Sequence, residues 1–216
     1  SAVGATAAAA TPRAAPCATV RAMRERLVIH GLAGPPSTIL IEDGRIAALD
    51  PAVPPTGLAT ELDGRGLTAH PGFIELQVNG IGDLDFTRDP SGIADAGTPL
   101  AGHGVTAYLP TIVSSPPETV EAALDAWRAT AADPIGAVPL GLHIEGPYLS
   151  PARAGAHDPA MLRVPDLGEV ATWRPPGVRM VTLAPELPGA LKAIERLAAA
   201  GVVVGIGHTD ADAATI

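Results

Sequence analysis

Glu145 and His208 are side chains whose types suit a catalytic divalent metal. Such a metal takes a few histidine or carboxylate ligands and keeps one position open for a water that it acidifies. Both residues close an apolar run, in His143-Ile144-Glu145-Gly146-Pro147 and in Gly207-His208-Thr209-Asp210, and a third run closes in Gln77-Val78-Asn79-Gly80. Side chains alternate along a strand, so Gln77 shares a face with Asn79, and His143 with Glu145. Taken singly, Glu145 or His208 also reads as a strand-end residue satisfied by ordinary hydrogen bonds. Their joint position at the ends of two apolar strands leaves the metal reading and the structural reading evenly matched.

Five apolar strands are expected to position these groups, at 72–79, 105–112, 138–145, 179–184 and 202–208, with loops and helices between them spaced as in βα units of a parallel sheet. One helix is expected over 117–131, where Pro117 suits the first turn and Val120, Leu124 and Trp127 fall on one face. Another is expected over 188–200, with Gly201 placed to cap its end. Five strands fit an open portion of a barrel or a doubly wound sheet. Polar residues at the carboxyl ends of the strands favour the barrel, where catalytic groups gather at that face. Upstream, residues 26–69 hold short β-branched runs, with 37–42 and 45–49 flanking Asp43-Gly44, a hairpin turn signal. That segment is a small β region too short to stand alone.

The bulk composition narrows the function. The chain has 216 residues, fewer than the roughly 250 of a complete eight-stranded β/α barrel. Hydrophobic residues make up 47% and charged residues 17%, without an apolar run long enough for a membrane span. A net charge of -9 argues against a nucleic-acid partner and for a small molecule. Cys17, the single cysteine, excludes an internal disulfide, in keeping with a cytoplasmic location. Residues 1–19 are Ala-rich and read as a disordered extension, 20–69 as a partial small β domain, and 70–216 as the N-terminal part of a barrel. Ser1 and Ile216 both look like cut ends.

Four motifs occur in order: Gly141-Leu142-His143-Ile144-Glu145-Gly146-Pro147-Tyr148-Leu149, Gly155-Ala156-His157-Asp158-Pro159, Val181-Thr182-Leu183-Ala184-Pro185-Glu186, and Gly207-His208-Thr209. With Pro71-Gly72-Phe73-Ile74-Glu75-Leu76-Gln77-Val78-Asn79-Gly80 before them, the set resembles the N-acetylglucosamine-6-phosphate deacetylases, metal-dependent amidohydrolases. The resemblance covers nearly everything after about residue 25. It implies a (β/α)8 TIM-like barrel of amidohydrolase type, represented here by about five β/α units, with the N-terminal portion of a small β-sandwich domain. It implies metal ligation by Glu145 and His208, with a third histidine just beyond Ile216. Gln77 and Asn79 stand where many amidohydrolases carry a His-x-His pair, so they support the ligands from behind or mark a vacated metal site. One divalent ion is expected, with Zn2+ favoured by nitrogen and oxygen donors.

The same resemblance implies hydrolysis of the acetamido group of N-acetylglucosamine 6-phosphate to glucosamine 6-phosphate and acetate. Ala156, His157 and His143 fall on the substrate side. The general base is an aspartate beyond Ile216, so no catalytic residue of that kind lies in the chain, and the 216 residues alone are expected to be inactive. A homodimer is implied for the full-length enzyme. Asp83, Asp85 and Asp210 do not take the base's place, and Asp210 reads as a helix N-cap. His30, His70 and His103 read as structural, and Glu186 either lines the site or caps its loop. Two alternatives remain: an amidohydrolase with another N-acyl substrate, and a non-catalytic sugar-phosphate-binding relative. An open barrel of five strands would expose the fifth strand's edge and favour association.

Overall fold

The structure is a computed structural model that describes residues 26–52 and 59–213. The Ala-rich stretch 1–19 lies outside them, and Cys17 with it. Backbone contacts divide the chain into two compact units at the step from Pro71 to Gly72.

In the first unit β1 (Arg26–His30), β2 (Thr38–Glu42), β3 (Arg45–Leu49) and β4 (Thr60–Asp63) form one sheet in the order β3-β2-β1-β4. The β2-β3 hairpin turns at Asp43 and Gly44, with φ of 51° and 72°, the two positive values that a tight turn of this hand requires. Asp50, just after β3, accepts hydrogen bonds at Oδ1 from Ser37 N, Ser37 Oγ and Thr38 N at 2.8 to 2.9 Å. Those bonds, the Ser37 hydroxyl first, hold its carboxyl below the usual carboxylate range.

The second unit contains β5 (Phe73–Val78), β6 (Gly80–Ile81), β7 (Leu84–Asp85), α1 (Ile93–Gly102), β8 (Val105–Val113), α2 (Pro117–Ala132), β9 (Val138–Pro139) and β10 (Leu142–Glu145). It continues with α3 (Leu167–Val170), β11 (Val178–Leu183), α4 (Ala190–Ala199) and β12 (Val203–Ile206). The main sheet runs β5-β8-β10-β11-β12, parallel throughout, so each successive βα unit lies beside the one before it. A doubly wound sheet would reverse direction at a switch point. This unbroken order is that of a half-barrel. Helices α1, α2 and α4 cover one face, where Tyr108, Ile112, Ile144, Val181 and Leu197 join a continuous core. At the two ends of the sheet Phe73 and Val203 are 68% and 62% exposed.

Three differences from the expected elements have physical causes. The strand expected over 138–145 is broken at Leu140 and Gly141. Leu140 N–H donates to Tyr108 O in β8, whereas Leu142 N–H turns the other way to Gly177 O before β11, and Gly141 makes the change with φ of 139°. The last strand stops at Ile206, because His208 adopts a left-handed backbone with φ of 50°. Helix α1 was not anticipated: Pro99 within it and glycines at 97 and 102 mask a stripe of Ile93, Ala96, Gly97 and Leu100 that the core buries.

Candidate metal centre

The carboxyl ends of β5, β8 and β10 and the turn after β12 surround a cleft of about 390 Å³, lined by Gln77, Asn79, Asp85, Thr87, Val113, Glu145, Ala156, His157 and His208. Among the described residues, Glu145, His157 and His208 offer ligand atoms within 4.8 Å of one another. Glu145 is only 7% exposed. Its Oε2 accepts from Gln77 Nε2 at 2.9 Å, which aims Oε1 at the two imidazoles. His208 Nε2 lies 3.1 Å from Oε1, and His157 Nε2 lies 3.8 Å from it.

The other nitrogen of each ring decides what the near nitrogen can do. His208 Nδ1 is 2.9 Å from the backbone carbonyl of Arg153, which can only accept, so Nδ1 carries the hydrogen. In the neutral ring Nε2 then presents a lone pair to the Glu145 oxygen at 3.1 Å. Two acceptors at that distance need a cation between them, either a proton or a metal. His157 is the reverse case. Its Nδ1 faces the Ser114 backbone N–H at 3.3 Å, an obligate donor, and Ser114 Oγ at 2.8 Å. Nε2 therefore carries the hydrogen and points it into the cleft. Proximity alone puts all three groups in one cluster, but hydrogen-bond directions leave acceptors facing each other at Glu145 and His208 and a donor at His157. Burial, partly offset by the Glu145 carboxylate and reinforced by His208, holds the His157 pKa below the ordinary value of 6.5.

His143 is placed apart from this group. Its Nδ1 donates to Leu76 O at 3.1 Å and its Nε2 accepts from Thr182 Oγ1 at 2.8 Å, so the ring ties β5 to β10 and β11 and keeps no free nitrogen for a substrate. Asn79 lines the cleft, and so does Ala156 from the 155–159 loop. Asp85 is engaged in its own turn, accepting from Thr87 N and Arg88 N. Asp210 pairs with Arg153 at 2.7 Å, and the helix it was expected to cap would run into 214–216, outside the described residues. Glu186 accepts from Thr209 Oγ1 and Asp210 N. His30 belongs to β1 in the first unit and His103 ends α1.

Sequence reasoning missed Ser114 and Arg153. Ser114 carried a faint signal as a polar residue after the apolar run of β8. Arg153 carried none for this role, because the atom that orients His208 is a main-chain oxygen present in every residue.

No protein-family model matches the chain. Individual proteins do. The chain is 41% identical over 153 residues to the N-acetylglucosamine-6-phosphate deacetylase of Homo sapiens, a match that covers 66% of this chain and 37% of that protein. It is 40% identical over 151 residues to the corresponding protein of Danio rerio, with the same two coverages. A solved structure titled as the Mycobacterium smegmatis enzyme in complex with N-acetyl-D-glucosamine 6-phosphate superposes with a TM-score of 0.70 at 32% identity, over 89% of this chain and 51% of that one. By sequence and by fold, the chain is similar to N-acetylglucosamine-6-phosphate deacetylases.

It spans well under half the length of those two vertebrate deacetylases and about half of the mycobacterial structure. The deacetylase likeness extends to a second sugar: an Escherichia coli O157:H7 protein named N-acetylgalactosamine-6-phosphate deacetylase is 38% identical over 180 residues, covering 79% of this chain and 45% of that protein.

Proposed function

We propose that this chain belongs to an enzyme that removes the acetyl group from N-acetylglucosamine 6-phosphate, using one divalent metal held in part by Glu145 and His208. The observation that carries the metal assignment is the opposed pair of lone pairs, His208 Nε2 against Glu145 Oε1 at 3.1 Å, with the His208 hydrogen fixed on the Arg153 carbonyl. One carboxylate oxygen and one neutral imidazole nitrogen are donors that zinc accepts well. Supplied there, the ion provides Lewis acidity toward the amide carbonyl and toward water.

The chain's own residues then have distinct tasks. Gln77 holds Glu145 so that one oxygen stays directed at the site. His157, kept neutral by burial, directs its Nε2–H into the cleft, where it can donate to the acyl oxygen as negative charge grows on it. Ala156, in the loop that the family resemblance puts on the sugar side, lines the same space. His143 braces the sheet beneath Glu145. The family resemblance places a third histidine ligand and an aspartate general base after Ile216. In the complete enzyme that aspartate would take a proton from water and return it to the leaving amine. Completion of the half-barrel to an eight-stranded amidohydrolase barrel follows from the same resemblance.

The Escherichia coli relative supports a second reading, in which the sugar is N-acetylgalactosamine 6-phosphate. The two sugars differ only in configuration at one hydroxyl, so acetate release by the zinc-loaded full-length protein should be compared on both and on unphosphorylated N-acetylglucosamine. Preference for the glucosamine phosphate sustains the first reading, and preference for its epimer selects the second. Equal, slow release from all three would remove the sugar-phosphate assignment.

A further inference from the structure

His208 holds its ring at Glu145 from a backbone conformation that histidine does not favour. Its φ of 50° lies in the left-handed region, where a side chain with a Cβ persists only if its surroundings fix it. Before the turn, Gly207 N–H donates to Leu183 O at 3.2 Å, and His208 O accepts from Ser150 N–H at 2.9 Å. After it, one side chain accepts from two donors of the turn. Glu186, which follows β11, accepts the Thr209 hydroxyl at Oε2 over 2.5 Å and the Asp210 N–H at Oε1 over 2.8 Å. Burial pushes the Glu186 carboxyl up, but these two donors, together with its own backbone N–H and the Ser150 hydroxyl, more than offset it, so the group sits below its ordinary range and remains ionised. Asp210 is tied in turn to Arg153, whose carbonyl receives the His208 Nδ1 hydrogen. Glu186 does not touch the cleft, and no described bond links it to His208 itself.

We propose that Glu186 is a positioning residue for His208: by bridging Thr209 and Asp210 it holds the left-handed turn that presents Nε2 to Glu145 before any metal arrives. The consequence for metal binding rests on the ligand reading of Glu145 and His208, but the positioning of the ring does not. Removing the bridge frees the turn to relax toward ordinary backbone angles, which swings Nδ1 off the Arg153 carbonyl and Nε2 off the site. Outer partners of metal ligands commonly change affinity by about 10- to 100-fold, the scale expected here.

The test uses the full-length protein with zinc as the probe, its affinity measured by competition with a chromogenic chelator. The His208 Nδ1–H is followed separately in the metal-free protein by nitrogen-15 NMR of the ring. Glu186→Ala should weaken zinc by about 10- to 100-fold and replace the single Nδ1–H form with a mixture of tautomers. Glu186→Gln should stay close to wild type in both, since its amide oxygen can accept from Asp210 N–H while its amide N–H donates to Thr209 Oγ1. Thr209→Val, which removes the hydroxyl's bond to Glu186 together with the one it accepts from Ala211 N–H and leaves the carboxylate, should fall between them and serves if Glu186→Ala does not fold. Unchanged affinity and tautomer in Glu186→Ala or Thr209→Val overturns the proposal. So does equal weakening by Glu186→Gln and Glu186→Ala, which would mean that charge and not position matters. A wild-type protein that takes up no zinc sinks the ligand reading alone, because the ring signal still decides whether Glu186 positions His208.

Discussion

Gln77 and Glu145, 68 residues apart in sequence, are joined by a hydrogen bond of 2.9 Å from the amide Nε2 to carboxylate Oε2. The bond spans from β5 to β10 and settles which Glu145 oxygen faces the imidazoles. Gln77→Ala should therefore lower zinc affinity by about 10- to 100-fold without unfolding the chain, measured by chelator competition beside a thermal melt. Wild-type affinity in that variant would show that Glu145 is oriented without Gln77.

Gly155 stands against the His208 ring, with φ of 60° and an added Cβ that would sit 3.2 Å from His208 Cε1. Gly155→Ala should lose about 1 kcal/mol of stability from its backbone angle and also displace the ring, weakening zinc. Gly189 has φ of 86° and nothing within 4 Å of an added Cβ, so Gly189→Ala should show the stability loss alone. Urea unfolding and zinc titration of the two variants separate the two effects.

His143 is 1% exposed, and burial, partly offset by Glu145 and by the Leu76 carbonyl, lowers its pKa below 6.5. The unfolded chain then takes up a proton that the folded chain refuses. The contribution of this residue to stability is full above pH 6.5 and is lost as pH falls from there toward the lower folded pKa. Metal-free protein should lose up to about 1.4 kcal/mol per pH unit in that window from this group, and His143→Gln should flatten the slope. Urea denaturation at a series of pH values reads it directly.

Tyr148 donates its hydroxyl to Glu169, which also receives Arg163 Nη2 at 2.6 Å, while its ring stacks on Trp173 at 5.5 Å between centroids. Burial, then the hydrogen bond to Glu169, raises the Tyr148 pKa, so the phenol stays protonated as a donor. Tyr148→Phe keeps the stacking and leaves Glu169 with Arg163 alone, at a cost of about 1–2 kcal/mol. Unfolding free energy that does not change would mean that the hydroxyl contributes nothing net.

The strands with continuous apolar runs, β8 and β11, were legible in sequence, and so was the Asp43-Gly44 turn, because periodicity and positive-φ residues are local properties. The break at Gly141 was not, since it comes from neighbouring strands competing for the N–H groups of Leu140 and Leu142. In the site, the residue types at Glu145, His157 and His208 could be read, but not their protonation. That depends on Arg153 O and Ser114 N–H, main-chain groups that leave no trace in side-chain identity. The position of His143 between Leu76 and Thr182 was hidden for a similar reason: its in-strand alternation with Glu145 gave a shared face but not a shared partner.

The most direct test of the metal assignment is zinc content, measured together with acetate release from N-acetylglucosamine 6-phosphate, for the full-length protein and its Glu145→Ala and His208→Ala variants. The account predicts one zinc per chain and steady acetate release from the wild type, with both lost in either folded variant. Variants that keep their zinc and still release acetate at the wild-type rate would contradict it.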